Sequence, residues 1–122
     1  DIEVETIPGI SAFNAAAARA QVPLVQADET MAVLPVRKDL RGLKEVLGTF
    51  DTVVLMKVGS KLDKVMALLA ELDLLRHSVL VSHLGQPGEK MIHDLSSLKN
   101  VEREGYLSVI IVKNPRTRSN RA

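Results

Sequence analysis

The sequence has 122 residues and a mass of 13.3 kDa, with sixteen Lys and Arg residues, fifteen Asp and Glu residues and 46% apolar positions, which is typical of one soluble globular domain. Cysteine is absent, which excludes disulfides, thiolate zinc sites and cysteine nucleophiles. No apolar run approaches the roughly 20 residues that span a bilayer, and nothing near Asp1 resembles a signal peptide.

An alanine-rich run predicts the first helix. Apolar residues recur there at helical spacing and alanine has a high helix propensity, so a helix is expected from residue 11 to about residue 20. Its small side chains would allow close packing. Met31–Leu34 then has the pattern of a short strand, and Pro35 is expected to end it because proline lacks the N–H group of a sheet hydrogen bond.

A stripe of apolar residues predicts a second helix over about residues 37–48. The next segment, Thr52–Met56, is β-branched and apolar, as buried strands are. Ser60 and Asp63 resemble a helix-capping box, and the apolar face that follows them predicts a third helix.

The last third of the chain predicts strands. Ser78–Ser82 and Tyr106–Val112 are apolar and rich in β-branched residues, and Lys90–Leu95 is expected to be a short edge strand. Helices that alternate with buried strands indicate a single α/β domain over residues 1–113, with the sheet covered by helices. The pattern leaves the strand order open and fits a mixed sheet as well as a parallel one.

The end of the chain is expected to be a basic, disordered tail. Residues 114–122 contain Arg116, Arg118 and Arg121 and no acidic residue. Arginines in such a tail are able to contact nucleic acid or phosphate, but no aromatic side chain lies among them for base stacking. The prediction is therefore a solvated terminus without a nucleic-acid partner.

The turn into the first helix is a candidate binding loop. Pro8 fixes one backbone dihedral and Gly9 frees the next, so N–H groups at the helix start are able to point outward beside the Ser11 hydroxyl. The segment is either a cradle for a small ligand or an ordinary connection in which Ser11 caps the helix.

Two further candidate loops follow apolar strands, where ligands of α/β sheets collect. Met56 ends one strand, and it either presents its backbone and thioether to a flat heterocycle or fills the core. Residues 82–89 follow another strand and contain two glycines and a proline, which allow close approach to a ligand but are common in loops.

Other chemistries find no support in the sequence. His77, His83 and His93, with Asp94 as a further candidate ligand, match no zinc spacing, so no metal site is expected. No Gly-x-Ser-x-Gly elbow, Gly-x-Gly-x-x-Gly fingerprint or phosphate-binding Gly-Lys-Ser/Thr motif occurs.

Taken together, the three loops resemble the carboxy-terminal half of a tetrapyrrole methylase, the two-domain family that methylates corrin and sirohaem precursors with S-adenosylmethionine. The resemblance extends to about Lys113. Within this family, the sequence most resembles the branch that methylates precorrin-2 at C20. The stretches that carry this resemblance are ETIPGISAFNAAAAR from Glu5, PLV from Pro23, DETMAVLP from Asp28 and DTVVLMK from Asp51.

The resemblance implies a cofactor site at four positions. It implies that Ser11 and Ala12 contact S-adenosylmethionine, that Met56 binds its adenosine part and that Gly85 lies beside it. Lys57 stands where many relatives have glycine, and no role is assigned to it. The resemblance further implies a cytoplasmic homodimer with a tetrapyrrole substrate, whose nucleophilic ring carbon attacks the sulfonium methyl group; no catalytic base is identified.

One departure from the family pattern bears on activity. The glycine-rich opening loop and the Gly-Asp-Pro loop of the family's amino-terminal domain do not occur in this sequence. The expectation is therefore a part of a longer enzyme that folds but is not catalytically competent alone. The alternatives are another branch of the family, a non-catalytic dimerisation module and an unrelated nucleotide-binding α/β module.

Overall fold

A five-stranded sheet forms the centre of the fold in a computed structural model that describes residues 1–99 and 107–119. The strands are β1 (Met31–Pro35), β2 (Thr52–Met56), β3 (Ser78–Ser82), β4 (Lys90–Ile92) and β5 (Ser108–Lys113). Their order is β1-β2-β5-β3-β4. Strand β1 runs parallel to β2, and the other three pairs are antiparallel. Strands β2 and β3 therefore point in the same direction, on either side of β5.

Helices cover both faces of this mixed sheet. They are α1 (Ala12–Ala20), α2 (Leu43–Thr49), α3 (Leu62–Glu71) and the short α4 (Pro115–Ser119). One apolar core contains residues of α2 and α3, and a second core, on the opposite face, contains the alanines of α1. The predicted α/β class, with a mixed sheet covered by helices, is confirmed.

Side chains of the central strands alternate between the two cores. Val53 and Leu55 belong to the core of α2 and α3, whereas Val54 belongs to the core of α1. On β5, Ile110 packs with the first group and Ile111 with the second. Because both faces are buried, a polar residue is not needed at alternate positions, which explains the continuous apolar runs in these strands.

Small side chains allow α1 to lie close to the sheet. Ala16, Ala17 and Ala20 are buried against β-branched residues of β3 and β5. The helix begins at Ala12 and ends before Gln21, whose φ of 57° lies in the left-handed region. The predicted helix over residues 11 to about 20 is confirmed, and α1 brings its first residues to the edge of the sheet where the candidate site lies.

The second helix is shorter than predicted. It begins at Leu43, because Leu40 and Gly42 have φ values of 50° and 77° and interrupt the helical conformation. An Asp39 carboxylate oxygen accepts a hydrogen bond from the Arg41 N–H at 3.1 Å and stabilises this turn. Leu40 still packs against the core from the turn, which is why the apolar stripe extends beyond the helix itself.

The predicted capping box before α3 is not formed. Residues Gly59–Lys61 make one turn of 3-10 helix, and Lys61 occupies the N-cap position without a side-chain hydrogen bond. Strands β2 and β3 have the predicted bounds, and β4 is an edge strand that ends at Ile92. The predicted strand from Tyr106 is observed as Ser108–Lys113, and Tyr106 itself lies outside the described residues.

Residues 114–119 differ from the predicted solvated tail. Asn114 and Thr117 are buried, and the Asn114 side-chain amide donates a hydrogen bond to the Leu47 carbonyl at 2.7 Å. The Thr117 hydroxyl donates to an Asp51 carboxylate oxygen at 2.7 Å. Polar side chains of a basic segment therefore anchor α4 to the domain, an arrangement that counting charges does not reveal; residues 120–122 lie outside the described part.

No helix in residues 1–99 and 107–119 has both the length and the apolar character needed to cross a bilayer.

Candidate functional site

The carboxyl ends of β2 and β3 and the start of β5 meet at one edge of the sheet. This follows from the pairing of Leu55 with Ile110 and of Ser82 with Ser108. A cavity of about 560 Å³ opens there, within the range usual for small-molecule sites. Its lining is mostly apolar and consists of Ala12, Met56, Lys57, Val58, Gly59, Val81, Leu84, Gln86, Leu107, Ser108 and Val109.

Strained backbone conformations occur beside this cavity. Lys57, His83 and Leu107 have φ values between 50° and 54°, the left-handed region that side chains with a Cβ atom rarely adopt. Each lies directly beyond an end of a central strand. Such strain concentrates at binding and catalytic sites, where the surrounding structure maintains it. The strand ends thus share a feature common at functional sites.

The predicted cofactor residues lie near one another. Ala12 and Met56 line the same cavity, although they belong to different elements. Gly85 lines an adjoining open depression, and its neighbours Leu84 and Gln86 line both spaces. Ser11 immediately precedes Ala12 at the start of α1. The three loops chosen from the sequence therefore converge on this edge of the sheet.

Ser11 does not cap the helix through its side chain. The residue occupies the N-cap position with ψ of 148°, but its hydroxyl makes no capping hydrogen bond. Its Oγ atom is buried and has no hydrogen-bond partner among the described residues. Buried polar atoms are normally satisfied, so this hydroxyl is an exception among the described residues.

Glu89 joins the Gly85 loop to α1. One carboxylate oxygen accepts a hydrogen bond from the Gly85 N–H at 3.2 Å, and the other accepts from Nε and Nη2 of Arg19 at 3.2 and 3.0 Å. The Gly85 N–H and the Arg19 guanidinium together lower the pKa of Glu89 below its usual value. Glu89 is consequently ionised at neutral pH.

Sequence reasoning missed one wall of the cavity. Leu107 and the first two residues of β5, Ser108 and Val109, form it, and their place between β2 and β3 depends on a pairing that no local pattern reveals. Lys57, to which no role was assigned, is the charged residue in the lining. The sequence signal that could have identified Lys57 as a site residue is its position directly after a buried strand. In residues 1–99 and 107–119, no group of three or more His, Asp or Glu residues is placed to hold a metal ion.

The sequence matches known proteins over most of its length. Residues 1–99 match the family model described as Tetrapyrrole (Corrin/Porphyrin) Methylases. The chain is 32% identical over 109 residues to the cobalt-precorrin-2 C(20)-methyltransferase of Salmonella typhimurium, and the alignment covers 89% of this chain and 46% of that protein. The chain thus spans about half the length of the curated relatives it matches first.

Solved structures share the fold. The X-ray structure of the cobalt precorrin-4 methyltransferase CbiF matches with a TM-score of 0.67 and 21% identity, over 89% of this chain and 51% of that chain. The uroporphyrin-III C-methyltransferase of Thermus thermophilus, complexed with S-adenosylhomocysteine, matches with a TM-score of 0.56 and 16% identity, over 93% and 53% of the two chains. At these identities the likeness establishes the fold alone. Since the family model covers residues 1–99, the chain belongs to the tetrapyrrole (corrin/porphyrin) methylase family.

Proposed function

We propose that this chain is the cofactor-binding half of an S-adenosylmethionine-dependent enzyme that methylates precorrin-2 or cobalt-precorrin-2 at C20 in cobalamin biosynthesis. The observation that carries the proposal is the cavity at the ends of β2 and β3, because Ala12 and Met56, which the family resemblance assigns to the cofactor, line it together. The name of the Salmonella relative supports the choice of substrate over those of other branches.

The residues around the cavity fit an adenosine group joined to an amino acid. The apolar lining suits the faces of a flat heterocycle, and Ser11, whose buried hydroxyl has no partner among the described residues, directly precedes the lining residue Ala12. Gln86 adds a side-chain amide that is able both to donate and to accept hydrogen bonds. S-adenosylhomocysteine in the Thermus thermophilus structure supports the same class of ligand for this chain.

When bound, S-adenosylmethionine supplies a methyl group that is already activated by the positive charge on its sulfur. The protein then has to align the two reactants and exclude water, and it needs no nucleophile of its own. Val81, Leu84 and Val109 would provide apolar surface that excludes water, and Met56, which lines the same cavity, would pack against the adenosine part. In the transfer, the ring carbon of the tetrapyrrole would gain the methyl group, the bond between sulfur and the methyl carbon would break with release of S-adenosylhomocysteine, and the ring carbon would give up its proton to water.

Two arginines are candidates for binding the acidic substrate. Arg37 and Arg41 line a second cavity, of about 280 Å³, beyond the end of β1. It lies at the same sheet edge as Met56, whose carbonyl accepts a hydrogen bond from the Val36 N–H at 2.8 Å. Reduced tetrapyrroles carry several carboxylates, and guanidinium groups bind carboxylates well. These arginines are therefore suited to guide the acidic substrate.

The first ten residues support the proposal that another half of the enzyme packs here. Ile2, Val4, Ile7 and Ile10 are 78–90% exposed. Large apolar side chains grouped in this way usually mark a protein–protein contact. We propose that the amino-terminal domain of the same enzyme covers them and completes the cofactor pocket, and that the enzyme acts in the cytoplasm.

A homodimer is also part of the proposal. In analytical ultracentrifugation, the full-length enzyme is expected to sediment as a dimer across the accessible concentrations. A species that remains monomeric at the highest concentration would contradict a dimer. The 122-residue chain, run in parallel, is expected to self-associate because its apolar residues are uncovered.

Isothermal titration calorimetry with S-adenosylhomocysteine tests the cofactor site in the full-length enzyme. Saturable binding at one site per chain is the expected result, because S-adenosylhomocysteine, the product of methyl transfer, retains both the adenosine and the amino-acid parts. ATP, titrated as the control ligand, is expected to bind much more weakly. Absence of saturable binding would contradict the methyltransferase, and preference for ATP would favour an unrelated nucleotide-binding module.

A further inference from the structure

We propose that Glu89 and Arg19 are positioning residues for cofactor binding: they hold the Gly85 loop against α1 so that two walls of the proposed site keep a fixed separation. This inference rests on the proposed function and deepens it. Neither residue lines the cavity itself; both line the adjoining depression. Their effect on a bound cofactor would therefore be transmitted through Gly85 and α1.

The geometry of Glu89 is unlike that of an ordinary surface carboxylate. Its two oxygens serve different elements, since one accepts from the Gly85 backbone and the other from the Arg19 side chain. Its side chain is 20% exposed and that of Arg19 is 61% exposed, whereas both partners of the Lys44–Glu71 surface pair are more than half exposed. A carboxylate held at both oxygens restricts the movement of the segments that it joins.

The hydrogen bonds that close the turns of the Gly85 loop do not hold it against α1. Its own backbone hydrogen bonds, from Gln86 to His83 and from Glu89 to Gln86, close two successive turns within residues 83–89. Neither bond attaches the loop to α1. Gly85 has φ of 73°, a conformation that glycine adopts at little cost. Because glycine adopts other conformations as easily, the residue by itself does not hold the loop in this one. The bond to Glu89 fixes the Gly85 amide, and Arg19 fixes Glu89.

The same contacts make Glu89 unsuitable as the base that removes a proton from the substrate. Both oxygens are engaged, and the two donors lower the pKa of this carboxyl. An acid whose pKa is lowered is a weaker proton acceptor at neutral pH than one whose pKa is raised. Positioning is therefore the role that the contacts favour.

The decisive experiment measures the Kd of S-adenosylhomocysteine in the full-length enzyme. Glu89→Ala is expected to weaken binding about tenfold and Arg19→Met about threefold, since the second leaves the Gly85 hydrogen bond in place. The double variant should be no worse than Glu89→Ala, because Arg19 acts through Glu89. Glu89→Gln should resemble Arg19→Met, with binding weakened about threefold, because its single amide oxygen still accepts from Gly85 whereas its NH2 group is unable to accept from Arg19.

Glu71→Ala is the matched control, because it breaks an ion pair of 2.8 Å whose two partners do not line the cavity, and it is expected to leave the Kd unchanged. Unchanged binding in Glu89→Ala, or a Glu89→Gln variant as weak as Glu89→Ala, would overturn the inference. If the unaltered enzyme fails to bind, the proposed function is what fails. Hydrogen exchange of the Gly85 amide then still tests the restraint: about tenfold faster exchange in Glu89→Ala supports it, and unchanged exchange refutes it.

Discussion

Replacing Asp51 by alanine is expected to lower the free energy of unfolding by about 3 kcal/mol. The residue is 2% exposed. One of its carboxylate oxygens accepts hydrogen bonds from the Thr30 N–H and hydroxyl at 2.7 and 3.1 Å, and the other accepts from the Thr117 hydroxyl at 2.7 Å. Alanine would remove the carboxylate acceptor for all three donors; the Thr117 hydroxyl would keep only the Asn114 carbonyl at 2.9 Å, and the Thr30 N–H would lose its short bond to a charged acceptor.

Urea denaturation of the 122-residue chain measures this effect. Thr117→Val deletes one of the three donors and keeps the shape of the side chain, so a loss of about 1 kcal/mol is expected for it. Asp63→Ala removes an exposed carboxylate from α3 and serves as the control, with a change below about 0.5 kcal/mol. A loss for Asp51→Ala no larger than that of the control would show that the buried hydrogen bonds contribute nothing net.

Met56→Asp is expected to weaken the binding of S-adenosylhomocysteine by about 100-fold, which corresponds to about 2.7 kcal/mol. Met56 lies at the end of β2 and lines the cavity together with apolar residues of β3 and β5. A carboxylate there would have to lose its hydration when the adenosine group enters, and apart from Lys57, Gln86 and Ser108 the lining is apolar. The uncharged thioether of S-adenosylhomocysteine provides no compensating attraction.

Calorimetry with the full-length enzyme measures the affinity, and thermal melting confirms that the variant is folded. Met91→Asp introduces the same charge on the edge strand β4, at a side chain that does not line the cavity. We expect it to change the affinity by less than about twofold, since an exposed charge is well hydrated. Equal affinities for the Met56→Asp variant and the unaltered enzyme would show that Met56 does not contact the cofactor.

The parts of the fold that the sequence predicts well are those with one dominant local signal. Strands β2 and β3 have their predicted bounds because burial on both faces leaves an uninterrupted apolar run. The start of α2 was predicted too early because Leu40 packs in the core from a left-handed turn. A periodic apolar pattern records which side chains are buried, and not which backbone conformation buries them.

The candidate site was likewise predictable only in part. Turn chemistry and strand ends were enough to identify the segments around Ser11, Met56 and Gly85, whereas assigning them to a cofactor depended on the family resemblance. The wall from β5 and the Arg19–Glu89 contact were not predictable, because they join residues that are 70 positions apart or depend on strand order. The assignment of the four cofactor positions stays a prediction.

Strand β5 is the last of the five strands in the sequence but occupies the middle of the sheet, and this placement constrains when the protein is able to fold during its synthesis. Lys113 pairs with Thr52, 61 positions earlier, and until that strand arrives both of its neighbours present open backbone edges. Such edges invite pairing with other chains. During synthesis the sheet is therefore unable to close before the residues of β5 leave the ribosome, and a chain that stops short of β5 would be prone to aggregate.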